Sequence, residues 1–215
     1  MISIVKSMTL SGLQGDLIET QTYITGGLPS FEIVGLPDTS VKEAKERVKA
    51  AIRNTGYEFP SRKIIINLAP ADKRKEGSYY DLPIAIGILK TLGEIVNEIG
   101  KDMIFIGELS LNGKVNRVNG ILPMCIQAME LGVKKIVIPK ENEKEASIVE
   151  DIEIISVNNL QEVVDYLNGN FKAKKCKNIY KEKQRDMNHF EIDFSEVKGQ
   201  KNAKRALEIA AAGRS

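Results

Sequence analysis

The run RKIIINLAP at positions 62–70 is almost continuously apolar, rich in β-branched residues, and too short for an ordinary helix. KKIVIP at 134–139 repeats the pattern, and IEIISV at 152–157 comes close to it. Runs of this kind are strands covered by neighbouring elements. Helical segments fall between them, so the fold class expected is mixed α/β, with a βαβ-like second half.

The N-terminal part reads differently. ISIVKSMTL, DLIETQTYIT and SFEIVGL are rich in β-branched and aromatic residues and are punctuated by SGLQG and GGLP, which predicts an antiparallel beginning. A helix follows. Ser40 and Glu43 have the capping-box spacing, Val41, Ala44, Val48, Ala51 and Ile52 share one face, and Gly56 supplies the stop. Lys42, Lys45, Arg47 and Lys49, interleaved with Glu43 and Glu46, read as its solvated face. Further on, 82–92 is helical with Pro83 in the first turn. MIFIGELSLNGKVNRV reads as two strands joined at Asn112-Gly113. ILPMCIQAMELG is a helix closed by Gly132, KENEKEASIV a short helix and NLQEVVDYL a final one.

With 215 residues, 42% of them hydrophobic and 28% charged, the chain can build one substantial core, or one domain and a fragment of another. A net charge of +2 gives no global basic signal, so nucleic-acid binding must come from local patches. The start MISIVKSMTL lacks the marks of a secretory signal, and no apolar stretch reaches the roughly 18 residues of a membrane span. Cys125 and Cys176 are too few and too far apart for a disulfide framework or a zinc site. His189 has no histidine or cysteine neighbour to share a metal. The expectations are a cytoplasmic protein with reduced thiols, no metal and no membrane partner.

Composition changes near Asn168. Seven basic residues stand against two acidic ones between 170 and 190, which predicts a basic linker. The expected organisation is a domain at 1–168, a linker at 169–194, and at 195–215 one helix, 200–212, beginning a further domain.

The stretch PADKRKEGSYYDLPIAIGIL at 70–89 carries the functional question. Lys73, Arg74 and Lys75 can meet phosphates while Tyr79 and Tyr80 stack on bases, with Lys172, Lys174 and Lys175 of the linker as a second cluster. The same loop can instead be an exposed lid with its tyrosines half-packed at the sheet edge. Asp81, followed by Leu-Pro, has the form of a helix N-cap.

Four ordered segments, GLPDTSVKEAKERVKAAI, NLAPADKRKEGSYYDLPIAIGIL, FIGELSLNGKVNRVNGILPM and EVKGQKNAKRALEIAAAG, resemble the ComM/YifB family of magnesium-chelatase-like AAA+ ATPases across essentially the whole chain. The resemblance implies an N-terminal domain with the fold of the Lon protease proteolytic domain (ribosomal protein S5 domain 2-like), ahead of an AAA+ motor. Such a protein would be a hexameric DNA-remodelling motor, driving branch migration in recombination or natural transformation. It would use ATP and Mg2+, while this domain assists ring assembly and guides single-stranded or branched DNA. A Walker A sequence is absent: Gly26-Gly27, and Gly107 with Gly113, lack the following Lys-Ser or Lys-Thr. The expectation is no cofactor and no ATP hydrolysis in this chain, with the Walker A loop following Ser215.

Lon-like catalysis needs a serine activated by a lysine. Anchoring on Ile84-Ala85 places Asp81 at the serine position, and anchoring on Gly77 places Tyr79 there. The lysine position falls on Leu122. The loop is closer to that of RadA, which has the same fold with Asp-Leu in place of the nucleophile and is a ring-forming, DNA-contacting platform. Two other readings stay open: a divergent Lon-like serine peptidase, for which Ser78 is the nearby hydroxyl, and a metal-insertion ATPase subunit of the chelatase type.

Overall fold

The computed structural model describes residues 2–11, 14–171 and 199–213. They fall into two compact units, Met1–Ile179 and Tyr180–Ser215.

The first unit is built on a seven-stranded sheet of order β3-β4-β2-β1-β5-β8-β9. β1 (Ile2–Ser11) and β2 (Gln14–Thr25) form a long antiparallel hairpin, and β4 (Lys63–Ala69) pairs antiparallel with β2. β5 (Met103–Phe105), β8 (Lys135–Pro139) and β9 (Glu153–Val157) continue from β1, all in parallel. The expected antiparallel beginning and βαβ-like second half are both present. One difference is that β3 (Ser30–Val34) lies parallel to β4, because α1 (Thr39–Asn54) forms a crossover between them.

Alternation along the strands sends side chains to two cores. On one face Val5, Ile18, Ile64, Ile66 and Phe105 pack under α1, α2 (Asp81–Leu92) and α5 (Leu160–Leu167). On the other, Met8, Ile104, Ile106 and Ile136 pack under α3 (Ile121–Glu130) and the short α4 (Glu143–Ala146). α2 lies close on the sheet: a Cβ added at Gly87 would stand 2.3 Å from Thr22 Oγ1. Ser3 Oγ, below it, donates to the Gly87 carbonyl at 2.8 Å.

Two local expectations are corrected. The cap of α1 is Asp38, not Ser40, because the Asp38 carboxylate accepts the Val41 N–H at 2.8 Å and the helix starts at Thr39. The predicted hairpin around Asn112-Gly113 exists, as β6 (Glu108–Leu109) and β7 (Val115–Asn116), but its first strand is interrupted. Gly107 leaves the main sheet there, donating to the Tyr79 carbonyl and accepting from the Leu82 N–H, both at 3.0 Å. A side chain at 107 would run into Val115 Cγ1 at 2.7 Å.

In the second unit, α6 (Lys201–Ala212) realises the predicted terminal helix, with Leu207 and Ile209 exposed. Among the described residues no helix is long and apolar enough to cross a membrane.

Candidate functional site

The loop between β4 and α2 is held from both ends. Lys75 forms a parallel bridge with Pro37, its N–H donating to the Leu36 carbonyl at 3.1 Å and its carbonyl accepting from Asp38 at 3.0 Å. The second Asp38 oxygen accepts from the Gly77 N–H at 3.3 Å, so one carboxylate both caps α1 and pins the loop. The Lys75 side chain turns inward and is fully buried, with Nζ donating to the Pro70 and Lys73 carbonyls. Burial lowers the pKa of its ammonium, against the opposing pull of Asp72. Lys73 forms an ion pair with Asp16, and Arg74 with Glu76 at 3.0 Å.

The expectation that Lys75 meets phosphates is therefore corrected: its charge is spent on backbone carbonyls within the loop. Tyr80 is corrected as well. Its ring is fully buried and cannot receive a base, and burial pushes its phenol far above the usual range. Tyr79 is partly buried 4.7 Å from it, ring centre to ring centre, and packs against both cores. The lid reading fails for the same reason, since the end of this segment is core. Lys73 and Arg74 keep exposed side chains. Lys172, Lys174, Lys175, Cys176 and His189 lie outside the described residues.

Asp81 is the buried acid of the site. It is the first residue of α2, with no solvent exposure, and its side chain caps nothing, which overturns the N-cap expectation. Its two oxygens are taken by Arg47 of α1: Nε donates to Oδ2 at 2.6 Å and Nη2 to Oδ1 at 3.0 Å. The Leu109 N–H also reaches Oδ2 at 3.1 Å, tying the β6–β7 hairpin to the pair. Burial pushes the Asp81 carboxyl up to about 6, with Arg47 and the Leu109 N–H opposing and Glu108 adding to the rise. The hydrogen bond to Asp81 raises Arg47 in turn. Arg47 also donates to the Ser40 carbonyl at 3.0 Å.

Around this pair runs a second polar chain. Ser78 Oγ donates to Glu108, whose other oxygen accepts from Asn116 Nδ2 at 3.2 Å, and Ser110 Oγ donates to Asn116 Oδ1 at 2.9 Å. The hydroxyl nearest the position of a Lon-like nucleophile is thus partnered by a carboxylate. Leu122 stands in the first turn of α3, its N–H donating to Glu145 at 3.2 Å, and its aliphatic side chain carries no base.

Sequence reasoning missed three residues of this site: Arg47, Asp38 and Glu108. The charge pattern places Arg47 on the solvated face of α1, yet it sits beside buried Val48 and three positions after buried Ala44, at the flank of the apolar stripe. A long cation at that border is well placed to reach a buried acid. Asp38 carries a local signal, an acceptor three residues ahead of Val41, but nothing near it announces its second bond to Gly77; Glu108 has no such signal, because Ser78 comes from another element.

The family model "Subunit ChlI of Mg-chelatase" matches residues 20–142. The chain is 39% identical over 213 residues to "Competence protein ComM" of Haemophilus influenzae, covering 99% of this chain and 42% of that protein. It is 39% identical over 212 residues to "Uncharacterized protein YifB" of Escherichia coli, covering 99% and 41%. Lon protease 2 of Bacillus subtilis is 29% identical over 182 residues, covering 76% of this chain and 32% of the protease. The chain thus spans about two fifths of the length of the first two relatives. The α/β sheet with helices on both faces and the similarity to Lon proteases agree on a Lon-like domain. The chain belongs to the magnesium-chelatase-like AAA+ family of ComM and YifB.

Proposed function

We propose that this is a non-catalytic Lon-like domain serving a DNA-remodelling AAA+ motor, one that drives branch migration during recombination or transformation. The domain assists assembly of a hexameric ring and guides single-stranded or branched DNA, while the complete cytoplasmic protein uses ATP and Mg2+. One observation carries the non-catalytic reading. The residue at the position of a Lon-like nucleophile, Asp81, has both carboxylate oxygens engaged by Arg47 and the Leu109 N–H. A group held this way organises structure rather than attacking substrate. A relative named for competence, matched over 99% of this chain, supports the DNA setting.

The test has two arms. Gel shifts with single-stranded, duplex and branched DNA at several salt concentrations should show binding that weakens steeply with salt. The pure chain should turn over neither ATP nor an unfolded protein. Peptidase activity abolished by Ser78→Ala would replace this reading with a serine peptidase whose hydroxyl is paired with Glu108. A chelatase-type metal-insertion subunit is the second reading, favoured by the family model over residues 20–142. A requirement for tetrapyrrole-pathway partners would establish it.

A further inference from the structure

The described loop cations proposed for DNA are paired or buried, but the outer flank of α1 offers three that are not, and Arg62 beyond it a fourth. Lys45, Lys49 and Arg53 recur every fourth residue, so they line one side of the helix, successive charges about 6 Å apart along its axis. Together with Arg62 they border a groove of about 300 Å³, which adjoins a second cavity of about 470 Å³ through Arg53, Phe59 and Ser61. None of the four is ion-paired with a described residue. Glu46 is the one acid lining the first cavity, and Glu58 the one lining the second.

The floor is aromatic. Phe31 and Phe59 lie with ring centres 5.7 Å apart, and the Arg53 guanidinium stands 5.9 Å from the centre of the Phe59 ring. Both rings pack against the core, so the floor is fixed. A guanidinium resting on a fixed ring loses little freedom on binding and turns its donors outward. Arg47 faces the other way into the Asp81 pair, so α1 divides its cations between an internal bond and this row.

We infer that this groove is a phosphate-tracking surface for single-stranded nucleic acid, with Lys45, Lys49, Arg53 and Arg62 on consecutive backbone phosphates. Cations at regular intervals along a rigid helix match a polymer with one charge per repeat. Two adjoining open cavities suit a strand passing through rather than a small anion seated in a pocket. Arg53 covers the Phe59 ring, so the contacts go to phosphates rather than bases, and binding should be indifferent to sequence. This inference deepens the DNA reading above and rests on it.

The test compares three forms of the full chain on a labelled oligothymidylate across a salt series: wild type, Lys45→Gln/Lys49→Gln/Arg53→Gln, and Lys73→Gln/Arg74→Gln. Three lost phosphate contacts at about 0.7 each should lower the log–log salt slope by roughly two in the groove variant. The loop variant should change it by less than one. Arg62→Gln alone, outside any helix, should lower the slope by about 0.7 and guards against misfolding of the triple variant. If the wild type binds and the groove variants keep its slope, the groove is refuted while the DNA reading stands. If the wild type does not bind at low salt, both fall. Binding of polyglutamate in preference to the oligonucleotide would assign the groove to an acidic protein partner and overturn the inference.

Discussion

Arg47 in the middle of α1 grips both carboxylate oxygens of Asp81 at the start of α2, 34 residues further along the chain. The contact crosses between two helices that otherwise meet through apolar side chains, and it recruits the β6–β7 hairpin through the Leu109 N–H. Breaking one side leaves the other charge buried without its partner, which is the costly way to lose an ion pair. Arg47→Met should therefore destabilise the domain by about 3 kcal/mol. Combining it with Asp81→Leu should recover much of that loss, because no orphan charge remains. Urea denaturation of the two single variants, the double variant and wild type measures the coupling. Additive losses would show that the pair does not act as a unit.

The same carboxyl predicts a pH dependence. Its folded value is about 6, against about 3.9 for a free aspartate. Between these values the folded chain holds a proton that the unfolded chain has released, so stability falls as pH rises from about 4 to about 6 and levels off above. The size is roughly 3 kcal/mol at about 1.4 kcal/mol per pH unit. Other groups titrate in this range, so the quantity to measure is the stability of wild type minus that of Asp81→Asn. That difference should decline across the window. In Arg47→Met the decline should extend to higher pH, because the cation opposing protonation is gone.

Gly87 tests the seat of α2. An alanine there improves helix propensity by up to about 1 kcal/mol, but its Cβ would lie 2.3 Å from Thr22 Oγ1. The clash should win, and Gly87→Ala should cost about 1–3 kcal/mol. Thr22 Oγ1 is buried without a hydrogen-bond partner, so Thr22→Ala frees the space without breaking a bond. Adding it to Gly87→Ala should restore most of the stability, read from the thermal midpoint.

Cys125 should be inert while the domain is folded. It lies on the buried face of α3, and burial pushes its thiol up to about 12, so almost no thiolate exists at neutral pH. Iodoacetamide at neutral pH should leave the Cys125 peptide unmodified in native protein and modify it fully in denaturant. Peptide mapping separates it from Cys176. Rapid native labelling at Cys125 would mean that α3 opens readily.

The strands were legible from continuous apolar runs, whether both faces are buried, as in β8, or one face is buried and the other half-covered, as in β4, and the apolar stripe of α1 was legible in its spacing. The site was legible only in part. Asp81 stood out, yet its role was misread, because a carboxylate ahead of Leu-Pro looks the same locally whether it caps its own helix or answers a distant arginine. Lys75 failed as a phosphate contact for a related reason. Whether Lys75 turns outward or inward is decided by carbonyls at Pro70 and Lys73 that its own turn brings within reach. Periodicity reports what faces a core, but it does not report which partner a polar side chain finds.

Among the described residues, Tyr79 is the one partly buried side chain that packs against the cores on both faces of the sheet. Its carbonyl accepts from Gly107, and its neighbour Tyr80 is buried completely. The segment that carries the conspicuous basic residues therefore terminates in an anchor shared by two halves of the domain. Swinging it away would require opening both, so its motion belongs with sub-global unfolding rather than with fast loop fluctuation. Amide exchange at the start of α2 would then track the stability of the whole domain, and a ligand arriving at this face would meet a fixed surface.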